Sequence, residues 1–409
     1  MLVNDGFEQK EICLYTAIPM DARDIDRFGV NTFIMRGWKV SQIVLRDLLF
    51  PGVGGIQGEP GFLETISPKN FEDLDQCVKS KRQALAIVFV NYSLNTEILF
   101  RIFKKWEVRY AFVNSNPFPF PNRFTWKKLY FSLGTGMTRR LVNRLWLLLF
   151  RHFEVSSGLI DPPHYILAAT DASLSGCPPS GPDTKIIWAH TFDYDLYLAD
   201  SNHEPAVPGY GVFLDGCIPF HPDYLVCDNS NPQVDPKAYY QGITRFFDYV
   251  EKATGVPVIV AAHPRSAYEG GPDYFQGRRI ERGNSAQLVA RSQFVIAQYS
   301  NSINFPVIYR KPIIFITSDM LEKTHKALYL RHYAMLLGKK PINVDSLEIP
   351  DFVHELKINE VAYERYFENY VKKRGTPEKS TWDILLDELE GQKASRPPRL
   401  ESGGKNGYA

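Results

Sequence analysis

The sequence predicts two α/β halves, each a doubly wound sheet of parallel strands with helices on both faces. Apolar runs of strand length alternate with amphipathic segments of helix length, which is the pattern of a parallel sheet. A length of 409 residues suits two or three domains of ordinary size. We place the boundary in a turn-rich stretch near residues 216–235, giving halves at 1–220 and 221–392. Residues 393–409 are typical of a disordered tail or a cloning remnant.

The order of elements is clearer in the second half than in the first. Residues 94–106 fit an amphipathic helix well and residues 24–36 fit one poorly. Helices at 236–254 and 285–291 each precede a strand, at 257–262 and 294–297 respectively. The other predicted strands lie at residues 12–17, 84–91, 110–114, 165–169, 185–189, 211–214 and 312–317.

Composition narrows the functional classes. The 47 Lys and Arg residues against 46 Asp and Glu residues leave a net charge of +1, which disfavours a nucleic-acid binder. Five cysteines without a CxxC pair disfavour a disulfide framework or a zinc site, so a reducing cytoplasm is the simplest location. We find no secretion signal, and the apolar runs, such as the one at residues 145–150, are too short to span a membrane. No GxGxxG follows an early strand, so a dinucleotide-binding fingerprint is missing.

The strongest functional pattern lies in residues 257–319. His263 follows the buried strand PVIVAA, and ligands of open α/β sheets bind at that edge. Ser300 and Ser302 follow the next strand and open a segment that could be helical, where hydroxyls and free N–H groups form an anion site. We expect the two groups to lie side by side and grip one phosphate, with Arg265 adding charge. The alternative is a structural histidine and ordinary helix caps.

The pair His263-Pro264, followed by LVARSQFVIAQYSNSINFPVIYRKPIIF, resembles the C-terminal domain of bacterial GT-B transferases that use cytidine-activated donors. These include the retaining β-Kdo transferases of capsule and O-antigen assembly, and bacterial sialyltransferases have a similar HP motif and later Ser/Thr motif. Teichoic-acid glycerophosphotransferases, which use CDP-glycerol, are also similar. The resemblance covers roughly residues 210–320 and implies that His263, Ser300 and Ser302 contact the donor phosphate. Asn301 stands where some relatives have Ser or Thr.

Glycosyl transfer needs a carboxylate as base or nucleophile, and two segments offer one. Asp215 ends a buried apolar strand and is followed by Gly216, and the resemblance implies that it is the nucleophile. His190 and Asp193 follow another strand, and we assign them supporting acid or orienting roles. The alternatives are an Asp-Gly turn at residue 215 and a first-turn helix acid at residue 193.

A metal site is not expected. Asp193-Tyr194-Asp195 matches the DxD triplet that holds a divalent cation in GT-A enzymes, but the sequence around it lacks the GT-A layout. A CMP donor carries a single phosphate and normally needs no metal to stabilise its leaving group. We therefore predict metal independence and no cofactor, with the CMP-sugar acting as donor substrate.

Residues 108–153 contain no acid and eight basic residues with interleaved aromatics. The pattern is typical of a helix lying in a membrane surface, and Arg139, Arg140 and Arg144 are its candidate contacts. A buried helix with a solvated basic face, or a groove for an anionic glycan or lipid diphosphate, explains the same charges.

The favoured function is transfer of an acidic sugar, Kdo or a sialic-like nonulosonate, from a CMP donor to a bacterial surface-polysaccharide or lipid-linked acceptor. Such an enzyme would lie in the cytoplasm, peripheral at the inner face of the cytoplasmic membrane. One alternative is a CDP-glycerol-type polyol-phosphate transferase, with His263 on the diphosphate and Asp215 as acceptor base. Another is a non-catalytic scaffold of polysaccharide assembly, which would bind no cytidine nucleotide.

Replacing Arg139, Arg140 and Arg144 together by Gln tests the membrane prediction. Each basic residue near an anionic surface contributes about 1 kcal/mol, so the triple variant should sediment less with anionic liposomes. An unchanged bound fraction would remove the membrane role, and neutral liposomes provide the control.

Overall fold

A computed structural model describes residues 10–49, 63–119, 151–200, 209–220, 234–264, 266–324, 326–346 and 350–394. Within these residues the chain forms two sheets, of seven and six strands, and every strand pairing in them is parallel. Arg139, Arg140, Arg144, Arg265 and the tail at 395–409 lie outside the described residues.

The first sheet has the strand order β3-β2-β1-β4-β5-β6-β7. Its strands are β1 (Glu11–Thr16), β2 (Lys39–Val44), β3 (Glu64–Ile66), β4 (Leu85–Val88), β5 (Tyr110–Asn114), β6 (Tyr165–Ala168) and β7 (Lys185–Trp188). The accompanying helices are α1 (Ala22–Arg27), α2 (Val30–Met35), α3 (Arg46–Leu49), α4 (Phe71–Ser80), α5 (Glu97–Lys105), α6 (Arg151–Ser156) and α7 (Phe192–Ala199).

The second sheet has the strand order β10-β9-β8-β11-β12-β13. Its strands are β8 (Gly211–Leu214), β9 (Val258–Ala262), β10 (Ile280–Arg282), β11 (Val295–Ala297), β12 (Ile313–Thr317) and β13 (Ile342–Asn343). The helices that follow are α8 (Pro236–Thr254), α9 (Ser285–Ala290), α10 (Asn304–Ile308), α11 (Asp319–Glu322), α12 (Lys326–Leu336), α13 (Phe352–Glu355), α14 (Glu360–Tyr370) and α15 (Thr381–Ala394). The predicted fold class, two doubly wound parallel sheets, is confirmed.

Helix α8 shows how local sequence sets an element of the second half. The Asp235 side chain accepts a hydrogen bond from the Lys237 N–H, and Pro236 occupies the first turn, where its missing N–H costs nothing. Gly255 ends the helix at a φ of +74°, a conformation that favours glycine. Between these ends the helix buries Tyr239, Tyr240 and two phenylalanines against the second sheet.

The chain changes sheets earlier than its sequence predicts. The strand at 211–214, which we place in the first half, is β8 and lies inside the second sheet between β9 and β11. The change therefore occurs before Gly211 rather than near residues 216–235. The last helix, α15, then returns to the first half, where Trp382, Leu385 and Leu389 join the core on one face of the first sheet. Both differences arise because the position of an element in the sequence does not determine which of the two sheets it joins.

Four strands escape the sequence analysis, and each has a local reason. Ser41 and Gln42 interrupt the apolar pattern of β2, although both are buried. Strands β3 and β10 are three residues long and largely exposed, and β13 has two residues. The poorly fitting helix at 24–36 is in fact two helices, α1 and α2, separated by Gly29 at a φ of +74°.

Trp382 anchors α15 to the first half, and replacing this residue tests the contact. Its ring lies so close to Gly29 that a Cβ built there would clash with the indole, and its Nε1 donates to the Arg27 carbonyl at 2.9 Å. Trp382→Ala should lower the free energy of unfolding by about 3–5 kcal/mol, because it leaves a large cavity. Urea denaturation measures the change. The matched control Phe71→Ala, at a half-exposed ring, should change stability by less than about 0.5 kcal/mol. Equal losses would contradict the anchoring role.

Candidate functional site

Three strand ends of the second sheet carry the predicted donor-site residues. Asp215 follows β8, His263 follows β9, and Ser300 comes three residues after β11. The winding of the sheet reverses between β8 and β11, and ligands of such sheets bind outside the carboxyl ends at that reversal. Strand β8 lies between β9 and β11, so about 10 Å separates those two strands. His263 and Ser300 therefore flank Asp215, which corrects our expectation that they lie side by side.

The loops behind these three strand ends are in contact. A Cβ built on Gly216 would lie 3.6 Å from the Tyr299 carbonyl oxygen, which places the β8 loop against the β11 loop. The main-chain N–H of His263 donates to the Asp215 carboxylate, which joins the β9 loop to the β8 loop. The structure thus brings Asp215, His263 and Ser300 into one region.

Asp215 is almost fully enclosed, with 5% of its surface exposed. Its Oδ1 accepts from the Cys217 N–H at 2.9 Å, and its Oδ2 accepts from the Tyr268 hydroxyl at 2.5 Å. Burial raises the pKa of Asp215 to about 6, and these donors, with the His263 N–H, oppose that rise because they favour the charged form. The carboxylate is therefore ionised at neutral pH, with its oxygens engaged by the protein.

Tyrosine hydroxyls extend from the site to helix α8. The Tyr268 hydroxyl lies 2.6 Å from the Tyr240 hydroxyl, and the Tyr239 hydroxyl donates to Gln298 Oε1 at 2.5 Å. Gln298 directly follows β11 and is fully buried, and its Nε2 finds no hydrogen-bond partner among the described residues. Both strand ends that flank β8 are thus connected to one helix.

The His263 side chain is half-buried, and Pro264 beside it is exposed. The His263 carbonyl accepts from the Ser266 N–H at 2.9 Å and from the Ser266 hydroxyl at 2.7 Å, which closes a tight turn. The imidazole therefore sits on a fixed backbone while part of it remains accessible to a ligand. Arg265, which we expect to add charge at this site, lies outside the described residues.

The hydroxyl motif opens a short helical segment, as its sequence predicts. Asn301–Ile303 form a 3₁₀ turn, and α10 after it has five residues. The Ser302 N–H donates to Ser300 Oγ at 3.1 Å, so this oxygen already caps the turn. Ser300 and Ser302 are half-buried, and their hydroxyl hydrogens supply the donor capacity that the helix start was expected to give.

His190 lies in a different setting from the donor-site residues. It has no exposed surface, and its ring nitrogens face the Lys379 carbonyl at 2.8 Å and the Thr191 carbonyl at 3.2 Å. A supporting acid must reach the substrate, and a fully enclosed ring lacks that access. The contacts give His190 a structural role, holding the end of β7 to the segment that precedes α15.

Asp193 and Asp195 contact different elements. Asp193 is half-buried and accepts from Asn304 Nδ2 of α10 at 2.8 Å, and burial raises its pKa. Asp195 accepts from the Thr381 N–H at 2.8 Å, at the start of α15, and burial raises its pKa as well. The two carboxylates of the DxD match thus hold separate partners. The described residues contain no cluster of three or more His, Cys, Asp or Glu side chains suited to a metal ion.

An aromatic contact between the two halves was not predicted. Phe118, just after β5 of the first sheet, packs its ring 5.5 Å from Tyr299 and 5.4 Å from Tyr333, measured between centroids. Lys326, on α12, is buried, and its Nζ lies 5.7 Å from the Tyr299 ring centroid. A cation and an aromatic cluster thus adjoin Ser300. No sequence pattern could have found them, because they come from segments about 200 residues apart.

The segment we associate with a membrane contributes partly to the interior. Arg109 Nη2 donates to the Tyr165 hydroxyl at 3.1 Å, and Phe118 belongs to the aromatic contact just described. The remaining predicted contacts of this segment, among them Arg139, lie outside the described residues. No described helix has both the length and the apolar character needed to cross a bilayer.

A groove of about 500 Å³ runs along the edge strand β7, away from the donor-site residues. The segment between α14 and α15 forms one side of it and α15 forms another. None of the predicted site residues lines this groove, so its size does not bear on the donor site.

Comparison with known proteins shows the fold. No family model matches the chain, and no curated protein matches it. Among solved structures, CalG4, the calicheamicin glycosyltransferase, is similar at a TM-score of 0.51 and 10% identity, over 95% of this chain and 100% of its own. The wall teichoic acid polymerase TagF follows at 0.49 and 12%, over 95% and 91%. MnaA from S. aureus, solved with UDP, is similar at 0.48 and 12%, over 96% and 100%. The CalG4 similarity and the two parallel sheets show a two-domain GT-B fold.

The buried carboxyl of Asp215 should make stability depend on pH. Its pKa is 3.8 ordinarily and about 6 in the folded protein, so between these values the folded protein keeps a proton that the unfolded chain has lost. The contribution of this group to the free energy of unfolding therefore falls as pH rises from about 4 to about 6 and is constant above. Urea denaturation should show the difference between wild type and Asp215→Asn falling by about 2 kcal/mol between pH 4.5 and 7. A difference that rises with pH would contradict the environment described for Asp215.

Proposed function

We propose that the chain is a glycosyltransferase that binds a nucleotide-sugar donor at the carboxyl edge of its second sheet. The observation that carries the proposal is the meeting of three strand ends at the reversal of winding, with His263 and Ser300 on either side of β8. A ligand in that position lies where doubly wound sheets bind nucleotides. The GT-B fold adds support, because it is also the fold of a known glycosyltransferase.

We further propose that the donor is a CMP-activated acidic sugar, Kdo or a sialic-like nonulosonate. The support is the HP motif at His263 and the Ser-Asn-Ser motif at residues 300–302, which occupy two of these strand ends. A partly accessible imidazole and two half-buried hydroxyls match the hydrogen-bonding needs of a single phosphate. The buried Lys326 near Tyr299 adds positive charge beside the same motif.

In the proposed reaction an acceptor hydroxyl oxygen forms a bond to the anomeric carbon, and the bond from that carbon to the phosphate oxygen breaks. The electron pair of the broken bond leaves on CMP, and the hydroxyl proton passes to a base or to solvent. Donors aimed at the departing phosphate stabilise the charge that develops there. His263 and Ser300 would supply these donors. His190 has no part in this proposal, since its ring is enclosed by the protein.

The proposed acceptor is a surface-polysaccharide or lipid-linked glycan, and the proposed location is the inner face of the cytoplasmic membrane. Support comes from the basic aromatic segment at 108–153, whose charges suit either an anionic leaflet or an anionic acceptor. The proposal for the acceptor is independent of that for the donor, and each is tested separately.

Calorimetric titration with CMP, CDP and UDP tests the donor proposal. CMP should bind the wild-type protein, and His263→Ala should weaken that binding by about tenfold or more, equal to about 1.4 kcal/mol. The matched control is His354→Ala, at an exposed histidine on α13, which should leave the affinity unchanged. Preference for CDP, with phosphorus found in the product, would favour the polyol-phosphate transferase. Preference for UDP would overturn both cytidine proposals, and binding of none of the three would overturn the transferase.

A further inference from the structure

We propose that Asp215 and Tyr268 are positioning residues that hold the loop at residues 263–268 so that His263 faces the donor phosphate. This inference deepens the proposed function and rests on it for the identity of the ligand. It replaces the expected role of Asp215 as a nucleophile. The hydrogen bonds of the carboxylate, taken in turn, support it.

The Asp215 carboxylate holds the loop at both ends. The main-chain N–H of His263 donates to it at the start of the loop, and the Tyr268 hydroxyl donates at the end, 2.5 Å from Oδ2. Between these points Ser266 closes the loop onto the His263 carbonyl through its N–H and its hydroxyl. The described residues of the loop are thus fixed by one acceptor and one internal turn.

The same carboxylate fixes its own strand end. Its Oδ1 accepts from the Cys217 N–H at 2.9 Å. Cys217 has a φ of +48°, a backbone conformation that residues other than glycine rarely adopt without support. Hydrogen bonds to a carboxylate are about twice as strong as neutral ones, which suits an acceptor that must hold two loops together. Asp215 therefore joins the end of β8 to the end of β9.

A nucleophile needs an oxygen that can approach the anomeric carbon, and Asp215 offers little such access. Only 5% of its surface is exposed, and both oxygens accept hydrogen bonds from the protein. Three donors around one carboxylate also lower its reactivity, because they stabilise the charge that an attacking oxygen must share. These contacts suit an acceptor that stays in place through the reaction.

Tyr268 links this arrangement to the body of the domain. Its hydroxyl lies 2.6 Å from that of Tyr240, which is buried on α8, and both tyrosines are packed around Phe275 with centroids 5.0–5.2 Å away. The loop is thus tied to helix α8 as well as to the end of β8. Removing the Tyr268 hydroxyl should loosen the loop without altering the shape of the core.

Hydrogen exchange tests, without any nucleotide, whether Asp215 and Tyr268 fix the loop. In Tyr268→Phe and Asp215→Asn, amides of residues 261–268 should exchange at least about tenfold faster than in wild type, measured by mass spectrometry. The matched control is Tyr249→Phe, at an exposed tyrosine on the same helix as Tyr240, which should leave that segment unchanged. Unchanged exchange in both variants would overturn the inference. If either variant fails to fold, Tyr240→Phe takes its place in the experiment, because it removes the hydroxyl that contacts the Tyr268 hydroxyl.

Nucleotide affinity tests whether fixing the loop favours donor binding through His263. Tyr268→Phe should weaken CMP binding about 5–30-fold in the wild-type background and less than about twofold in the His263→Ala background. A purely structural role would give the same loss in both backgrounds and would overturn the inference. For Asp215→Asn a positioning role predicts a raised KM for the donor. A nucleophile would instead lose kcat with donor affinity intact, and that result would also overturn it.

The two proposals fail in different ways. If no nucleotide binds wild type, the proposed function fails, and hydrogen exchange still decides whether Asp215 and Tyr268 hold the loop. If CMP binds and His263→Ala weakens it, but Tyr268→Phe changes neither exchange nor affinity, the positioning role alone fails.

Discussion

The winding of the second sheet reverses between β8 and β11, so the crossovers that leave these two strands run in opposite directions. The chain therefore cannot cover the space between their carboxyl ends with a helix of its own. Every residue that we assign to donor binding lies at that uncovered place or one strand away from it. The position of the site is a consequence of strand order, and the residues decide only what chemistry it offers.

Burying a carboxylate at such a place has an energetic cost that its surroundings offset. The desolvation of Asp215 favours the neutral acid, while two main-chain N–H groups and a tyrosine hydroxyl favour the charged form. The balance leaves an ionised acceptor at neutral pH, held between two loops. The loop that carries the histidine we propose for donor binding gains rigidity from this arrangement at some expense in stability, as is usual where a binding site must be prepared in advance.

Much of the fold follows from the sequence because long buried strands and well-capped helices carry strong local patterns. The helix at 236–254 is found with its observed bounds, since Asp235, Pro236 and Gly255 mark both ends. Strands such as β2 and β10 are missed because polar residues break the pattern, and their stability comes from pairing with neighbours. The strand at residues 211–214 is found but placed in the wrong half, because a strand's own residues do not record which sheet receives it.

The candidate donor-site residues are recognisable in the sequence because a histidine and two serines directly follow apolar strands, and their role in donor binding stays a prediction. The order of the strands could not be found, so the place of Asp215 between His263 and Ser300 was missed. Tyr268, Tyr240 and Lys326 were missed for a further reason: their importance lies in contacts with residues distant in the chain. His190 shows the opposite case, since a residue type typical of catalysis is fully enclosed here and holds segments together. The role predicted for Asp193 stays a prediction.

The return of α15 bears on how the protein is made. Trp382, Leu385 and Leu389 complete a core whose other members lie in the first 200 residues of the chain. During synthesis the N-terminal half emerges from the ribosome long before these side chains exist. The surface around Gly29 and Phe33 therefore stays open to water until Trp382 has been translated. The first half of the chain is thus synthesised first and completes its core last.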